Sequence, residues 1–285
     1  MKKVVITGTA GRLGPYVAKH FVESGYNVLS VDSKYPPEAI CDHRIADLTD
    51  MGQCYGLLAG ADALVHLAAI PNAVTVTNEV VFRNNVMSTY NLLEAADTLG
   101  IKKAVTASSE SSYGIVFSKK GLTPQYVPMD EDHPCLPEDA YALGKLVEEE
   151  TARTINRRNG MQIVALRIGN VITKEVYEEK FAGFCNDPNQ RSGILWSYID
   201  ARDIATACRL AIEKDGLGVQ VLNIAADDNC TTLTSAELMK HGFPNVKDIR
   251  GPIDGFQTLL SNEKIKKVLG WKPEHFWRDN VPGFC

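Results

Sequence analysis

Three stretches of the chain carry residue types whose spacing can do chemistry together. Tyr141-Ala142-Leu143-Gly144-Lys145 sets a phenol and an amine four residues apart at the start of a helical stretch. Four residues is about one helical turn, so both side chains leave the same face. An ammonium beside a phenol favours the phenolate, and the tyrosine can then exchange a proton with a hydroxyl near neutral pH. Ala107-Ser108-Ser109-Glu110-Ser111-Ser112-Tyr113-Gly114 offers hydroxyls that both donate to and accept from a reacting alcohol or carbonyl; Ser109 is the first choice and Ser108 the second. Thr7-Gly8-Thr9-Ala10-Gly11-Arg12-Leu13-Gly14 follows the apolar run Val4-Val5-Ile6 and has the form T-G-x-x-G-x-x-G. Gly8 permits a tight turn, Gly11 lets the backbone approach a pyrophosphate, and Gly14 lets helix and sheet pack closely. The helix start presents free N–H groups to phosphates. Asp32, 18 residues after Gly14, can accept hydrogen bonds from both hydroxyls of an adenosine ribose. It repels a 2′-phosphate, so NAD is favoured over NADP, with Lys34 close by weakening the preference.

The elements that must position these groups follow from periodicity. Strands are predicted over 4–7, 27–31, 44–47, 63–67, 103–107 and 162–168, and helices over 12–24, 80–99 and 141–158. Continuous apolar strands alternating with amphipathic helices imply an α/β, Rossmann-like, doubly wound parallel sheet. Beyond residue 168 the pattern loosens. Residues 173–192 are polar, 194–199 and 219–225 read as strands, 201–213 as a helix capped by Asp200, and 235–241 and 261–269 as short helices. The expected organisation is a dinucleotide-binding core over 1–170, with 171–285 completing it and forming a small substrate lobe at the C-terminal edge of the sheet, where open α/β sheets bind ligands.

Composition narrows the class. Among 285 residues, 45% are hydrophobic and 23% charged, an ordinary globular mix. The net charge of −5 makes a nucleic-acid footprint improbable. No apolar run approaches the ~20 residues that span a bilayer, and Gly8, Gly11 and Arg12 break the N-terminal apolar run too early for a signal peptide. A cytoplasmic protein is expected. The seven cysteines include no C-x-x-C and the six histidines no i, i+4 pair, so neither a disulfide framework nor a metal site is expected.

These motifs resemble the extended short-chain dehydrogenase/reductase superfamily, specifically its NAD-dependent epimerase/dehydratase family, over nearly the whole chain. Further segments carry the likeness: Asp47-Leu48 resembles the adenine-contacting pair, His66-Leu67-Ala68-Ala69 the H-x-A-A strand end, Asn84-Asn85-Val86 the N-N-V, Leu166-Arg167-Ile168-Gly169-Asn170-Val171 the L-R-x-x-N-V, and Leu269-Gly270-Trp271-Lys272-Pro273 the L-G-W-x-P. The resemblance implies a catalytic triad of Ser109, Tyr141 and Lys145. It implies cofactor contacts from Gly8, Gly11, Arg12, Leu13, Gly14, Asp32, Asp47, Leu48, Leu67, Ala68, Ala69, Asn85, Tyr141, Lys145 and Ile168, with Asn85 also positioning the central helix. Substrate contacts are expected from Ser108, Ser109, Glu110, Tyr141, Arg167, Asn170 and Trp196. A homodimer through helices 80–99 and 141–158 is implied as well.

Departures from the family patterns narrow the reaction. Where sugar 4,6-dehydratases have T-D-E-V-Y-G, this chain has Ser109-Glu110-Ser111-Ser112-Tyr113-Gly114, so the second carboxylate is absent and dehydration is disfavoured. Nucleotide-sugar epimerases clamp a diphosphate with the arginine of R-x-Y-[IV]; here the segment reads Trp196-Ser197-Tyr198-Ile199, although Arg250 matches another clamp position. Uronate dehydrogenases share the L-R-I-G of residues 166–169 but carry Asn-His where this chain has Glu110-Ser111. The reading is an NAD-dependent oxidoreductase acting on a carbinol of a sugar or sugar acid, with Trp196 and Tyr198 as candidates to stack on it. The rivals are a sugar or nucleotide-sugar 4-epimerase and a dinucleotide-sensing protein without catalysis.

Overall fold

The first strand, β1 (Lys3–Thr7), is fully apolar at Val4, Val5 and Ile6, and all three are buried. Strands covered on both faces take this character. β1 pairs in parallel with β2 (Asn27–Asp32) on one side and β4 (Ala63–His66) on the other. β3 (Asp42–Ile45) extends the sheet beyond β2, and β5 (Lys103–Ser109), β7 (Gln162–Ile168) and β10 (Val219–Ile224) extend it beyond β4, in the order β10-β7-β5-β4-β1-β2-β3. The seven-stranded parallel sheet and its crossover helices make a Rossmann-like α/β fold. The computed structural model of the chain describes residues 2–71 and 76–281; Met1 and Cys285 lie outside them.

By compactness the chain forms two units that interleave along the sequence. One comprises Met1–Ser108, Ala140–Leu166 and Ile204–Val221; the other comprises Ser109–Asp139, Arg167–Asp203 and Leu222–Cys285. Residues 109–139 thus join the second unit although they precede residue 170, and residues 204–221 join the first although they follow it. In the first unit, α1 (Gly14–Glu23) buries Val17, Ala18 and Phe21, while α3 (Asn78–Thr98) and α4 (Ala140–Asn159) pack side by side. Leu92, Leu93, Ala96, Ala152 and Ile155 carry these two helices into the same core as Val5, Val31 and Leu64. The second unit has its own core, built around Tyr113, Phe181, Trp196, Tyr198, Leu259 and Trp277.

Most predicted elements are present, and the differences have local causes. The short strand lies at Asp42–Ile45 rather than 44–47, because pairing with β2 sets its register from Leu29↔Asp42 to Asp32↔Ile45. It is an edge strand with no buried residue, so its own side chains carry no pattern to fix that register. Helix α2 (Met51–Leu58) was not expected, yet its signals are plain afterwards: Asp50 caps it by accepting from Gln53 N, and Cys54, Leu57 and Leu58 form its buried face. The polar stretch 173–192 contains α5 (Lys174–Glu179) and α6 (Phe181–Cys185). The strand expected over 194–199 is a correction. Ser192–Ile194 is a 3-10 turn, and Leu195 and Trp196 have left-handed backbones at φ 55° and 50°. Only Ile199–Asp200 is extended, pairing with Val171–Ile172. Tertiary packing overrides the local β-propensity here: Trp196 N donates to Arg191 O, and the indole is wholly buried.

Candidate functional site

In the first unit, the turn after β1 is held by Gly8 N donating to Val31 O and Gly11 N donating to Gly8 O. Gly8 has φ +79°, and a Cβ there would stand 2.6 Å from Ala68 N. A Cβ on Gly14 would stand 2.1 Å from Gly8 O. Both glycines are therefore required by the chain's own packing. Gly11 differs: only Gly8 O, at 3.2 Å, is near its missing Cβ, and the residue is exposed. The protein itself leaves that backbone open to approach. The backbone amides of Arg12 and Leu13 donate to no protein group among the described residues, and α1 begins at Gly14 instead of residue 12. Open amides at a helix start suit a pyrophosphate.

Asp32 ends β2 beside this turn. Its Oδ2 accepts from Ala10 N at 2.9 Å and its Oδ1 from Ser33 N at 2.7 Å. Oδ1 also accepts from Ser33 Oγ at 3.3 Å, so Oδ2 is the oxygen that retains a lone pair for a ribose hydroxyl. Asp47 Oδ1 accepts from Thr49 N and Oγ1, while the Leu48 carbonyl accepts from Asn91 Nδ2. Leu67, Ala68 and Ala69 follow β4 as a half-buried loop, with Ala68 N donating to Thr7 Oγ1. Asn85, expected at the cofactor and as a positioner of the central helix, lies in α3. It spends both ends of its amide on Ile70, accepting from its N at 2.8 Å and donating to its O at 2.9 Å. A planar amide matches a peptide in this way, and the effect is to fix the 67–70 loop.

Tyr141 and Lys145 lie in α4, as their spacing requires. The Lys145 ammonium is buried 5.5 Å from the centroid of the Tyr141 ring and donates to Glu148 Oε2 at 2.9 Å. Burial works against its charge, but Glu148, the Tyr141 phenol and Glu149 outweigh that and hold its pKa above the ordinary lysine value. His66, the last residue of β4, bonds Thr7 Oγ1 through Nδ1 at 2.7 Å and Thr89 Oγ1 through Nε2 at 3.0 Å. Burial first, and Lys145 second, push its pKa down to about 3, so the imidazole is neutral. Ser108 is also committed here: its hydroxyl donates to Glu149 Oε1 at 2.6 Å. That bond removes Ser108 as an available donor and favours its neighbour. Glu148, Thr89 and Glu149 were not singled out from the sequence, although the i, i+3 and i, i+4 spacing of the two glutamates from Lys145 was legible.

In the second unit, Ser109 Oγ accepts from Ser111 N at 3.2 Å and Ser111 Oγ at 2.9 Å, and neither bond uses its own proton. Glu110 Oε2 lies 3.4 Å from Ser197 Oγ, which donates to Ile194 O at 2.7 Å. A serine has one proton, and the shorter bond takes it. Burial pushes the Glu110 carboxyl up to about 8 against the pull of Ser197 and Arg191. A protonated Glu110 can thus donate where a carboxylate could only accept. The segment around Ser197 is strained, with Arg191, Leu195 and Trp196 all at positive φ. Such strain persists only where the surroundings over-determine it, and here Trp196 O accepts from Cys230 N and Trp196 Nε1 donates to Pro188 O.

Arg167 is buried with its guanidinium 4.9 Å from the Tyr113 ring centroid. Ile168 ends β7 nearly buried, and Asn170 is half-buried, its carbonyl accepting from Ile199 N. Trp196 is a correction. It is fully buried, edge-on to Phe243 and against Gly242, so it presents no face to a sugar. Tyr198 is likewise core, donating to Asp228 Oδ1 at 2.6 Å. Arg250 is exposed, stacked 3.4 Å from the Tyr126 ring centroid and paired with Asp248. Among the described residues no cluster suits a metal ion, and no helix is long and apolar enough to cross a membrane.

A parallel sheet whose first turn is an open glycine cradle, followed by an acid at the end of β2, defines a dinucleotide-binding α/β protein. The chain belongs to the NAD dependent epimerase/dehydratase family, whose profile matches residues 4–225. A UDP-glucose 4-epimerase from Corynebacterium glutamicum is 28% identical over 96% of this chain and 91% of its own. A GDP-mannose 3,5-epimerase from Arabidopsis thaliana is 26% identical over 95% of this chain and 78% of its own. Among solved structures, a short-chain dehydrogenase/reductase superfamily protein from Agrobacterium tumefaciens with bound NAD has a TM-score of 0.76 at 24% identity, covering 98% of this chain and 94% of its own. A uronate dehydrogenase from the same organism has a TM-score of 0.69 at 22% identity, covering 96% and 85%. These two likenesses establish the fold.

Proposed function

We propose that the protein is an NAD-dependent oxidoreductase acting on a carbinol of a sugar or sugar acid, with Ser109, Tyr141 and Lys145 as its catalytic residues. The observation that carries the reading is the buried Lys145 ammonium facing the Tyr141 ring one turn away. The glycine cradle with open amides at Arg12 and Leu13, and the remaining lone pair of Asp32 Oδ2, fit NAD. When bound, the nicotinamide supplies the hydride acceptor. Tyr141, as phenolate, takes the proton of the substrate hydroxyl. Lys145 stabilises the phenolate and hydrogen-bonds the nicotinamide ribose, while Ser109 holds the substrate oxygen. Glu110 contacts a neighbouring polar group of the substrate, and Arg167 and Asn170 complete its surroundings. Burial of Trp196, where nucleotide-sugar epimerases carry an arginine, removes one diphosphate clamp and favours a smaller substrate.

The second reading, a sugar or nucleotide-sugar 4-epimerase, is favoured by the epimerases found among the curated relatives. Incubation with NAD and a panel of free sugars, sugar acids and nucleotide sugars separates the two. Net rise of NADH absorbance supports the dehydrogenase; a changed sugar without net NADH supports the epimerase. Tyr141→Phe is expected to lose about 10²–10⁴-fold in turnover while NAD affinity stays within a few-fold. Full activity in that variant would remove the proposal.

Homodimerisation through α3 and α4 is part of the same reading. Met87 and Tyr90 on α3 and Leu143 on α4 are large apolar residues left exposed. Light scattering should give twice the chain mass. The free state of the six described cysteines suits the reducing cytoplasm.

A further inference from the structure

The helix that carries Tyr141 and Lys145 also carries two adjacent buried glutamates, and they do different things. Glu149 accepts from Ser108, and its other oxygen lies 3.8 Å from the half-exposed Arg153. Glu148 faces inward. Its Oε2 takes the Lys145 ammonium at 2.9 Å, with both side chains only 3% exposed, and its Oε1 is buried with no hydrogen-bond partner. A buried ion pair with an unmet oxygen is a poor way to stabilise a fold, because desolvating two charges costs about as much as their attraction returns. The arrangement calls for another explanation.

Resting on the Tyr141–Lys145 reading above, we propose that Glu148 is a positioning residue: it fixes the Lys145 ammonium in place and, by cancelling part of its charge, sets the pH range in which the Tyr141 phenol works. The charged and titratable groups that face Lys145 are Tyr141, Glu148 and Glu149 from its own helix and His66 from β4. His66 is held neutral, so it neither pairs with Glu148 nor competes for it. Thr89, on α3, bonds His66 Nε2, and burial pushes the Glu148 carboxyl up against the pull of Lys145 and, more weakly, of the Thr89 hydroxyl. The row Thr7–His66–Thr89 is neutral, so the negative charges facing the ammonium are Glu148, in contact with it, and Glu149, one residue further on.

The sign of the effect follows from charge alone. Removing a negative charge from this cluster lowers the pKa of every neighbour, lysine and phenol alike. In Glu148→Gln, the Lys145 midpoint, read in the NAD-free protein by NMR of isotope-labelled lysine with Lys145→Arg as the assignment control, should fall by about one to two pH units. Both limbs of the pH–rate profile should move to lower pH with it. Glu148→Asp retains the charge and should leave both limbs within a few tenths of a unit. An unmoved Lys145 midpoint in Glu148→Gln overturns the proposal. A midpoint that falls while the profile stays fixed upholds the ion pair's control of the lysine and instead overturns the assignment of Lys145 and Tyr141 to catalysis. If Glu148→Gln fails to fold, the parent protein serves: its buried Lys145 midpoint should lie above the ordinary lysine value because Glu148 holds it there, and a midpoint below that value is equally fatal.

Discussion

The candidate residues of the two units are held in different ways. In the first unit they sit on regular elements and are held by neighbours on them: Asp32 at the end of β2, His66 at the end of β4, Tyr141 and Lys145 within α4. In the second unit they sit in irregular chain. Glu110 lies in a 3-10 turn, and Ser197 follows two consecutive residues at positive φ. The first arrangement suits a ligand whose shape is fixed, as a dinucleotide's is. The second suits a substrate that differs from one relative to the next, since loops change at less cost than strand ends.

Substitutions can break or sharpen this contrast. The largest effect is expected at Trp196. If it is core, Trp196→Ala costs about 3–5 kcal/mol of stability, visible in urea unfolding. A substrate-stacking role would instead raise KM with stability unchanged. Next come the cradle glycines. Gly14→Ala forces its Cβ onto Gly8 O, Thr9 Cα and Gly8 C and should cost about 1–3 kcal/mol, because all three are backbone atoms and none can swing away. Gly11→Ala meets only Gly8 O, at 3.2 Å, and should cost less stability than Gly14→Ala, about 1 kcal/mol or below, yet bind NAD about tenfold more weakly by calorimetry. Equal stability losses at the two positions would mean that Gly11, too, is spent on packing.

The smallest effect is expected at Glu110 and depends on pH. Its pKa is raised on folding from an ordinary 4.5 to about 8, so the folded state binds the extra proton. The stability this contributes is full below the ordinary carboxyl value and is lost as pH rises through about 8. Melting temperatures of the parent should therefore fall relative to Glu110→Gln between about pH 5 and pH 8, and run parallel below that. Parallel curves throughout would show that Glu110 is solvated and titrates normally.

The cradle and the helix that bears Tyr141 and Lys145 were legible because their signals are local. A glycine at positive φ, an acid at a strand end and a four-residue spacing on a helix each state their geometry within a few positions. Asn85 was legible as a residue that matters but not for what it does, since its partner Ile70 is 15 residues away. Trp196 was read as a candidate to stack on a sugar, and its core role was hidden for the same reason: Phe243 and Pro188, which cover it or hold its indole N–H, belong to other segments. Glu148 was one helical turn from Lys145 in plain view, and only its burial gives that spacing a meaning.

By itself the sequence determined the parallel sheet, the glycine turn and the helix face shared by Tyr141 and Lys145, because periodicity and backbone sterics act over one or two turns of chain. The tertiary structure alone decided that Lys145 shares its charge with Glu148, that Ser108 is committed to Glu149, and that residues 194–197 coil instead of extending. Those outcomes depend on which groups are taken out of water together, and exclusion of water is a property of the packed molecule that no short stretch of residues contains.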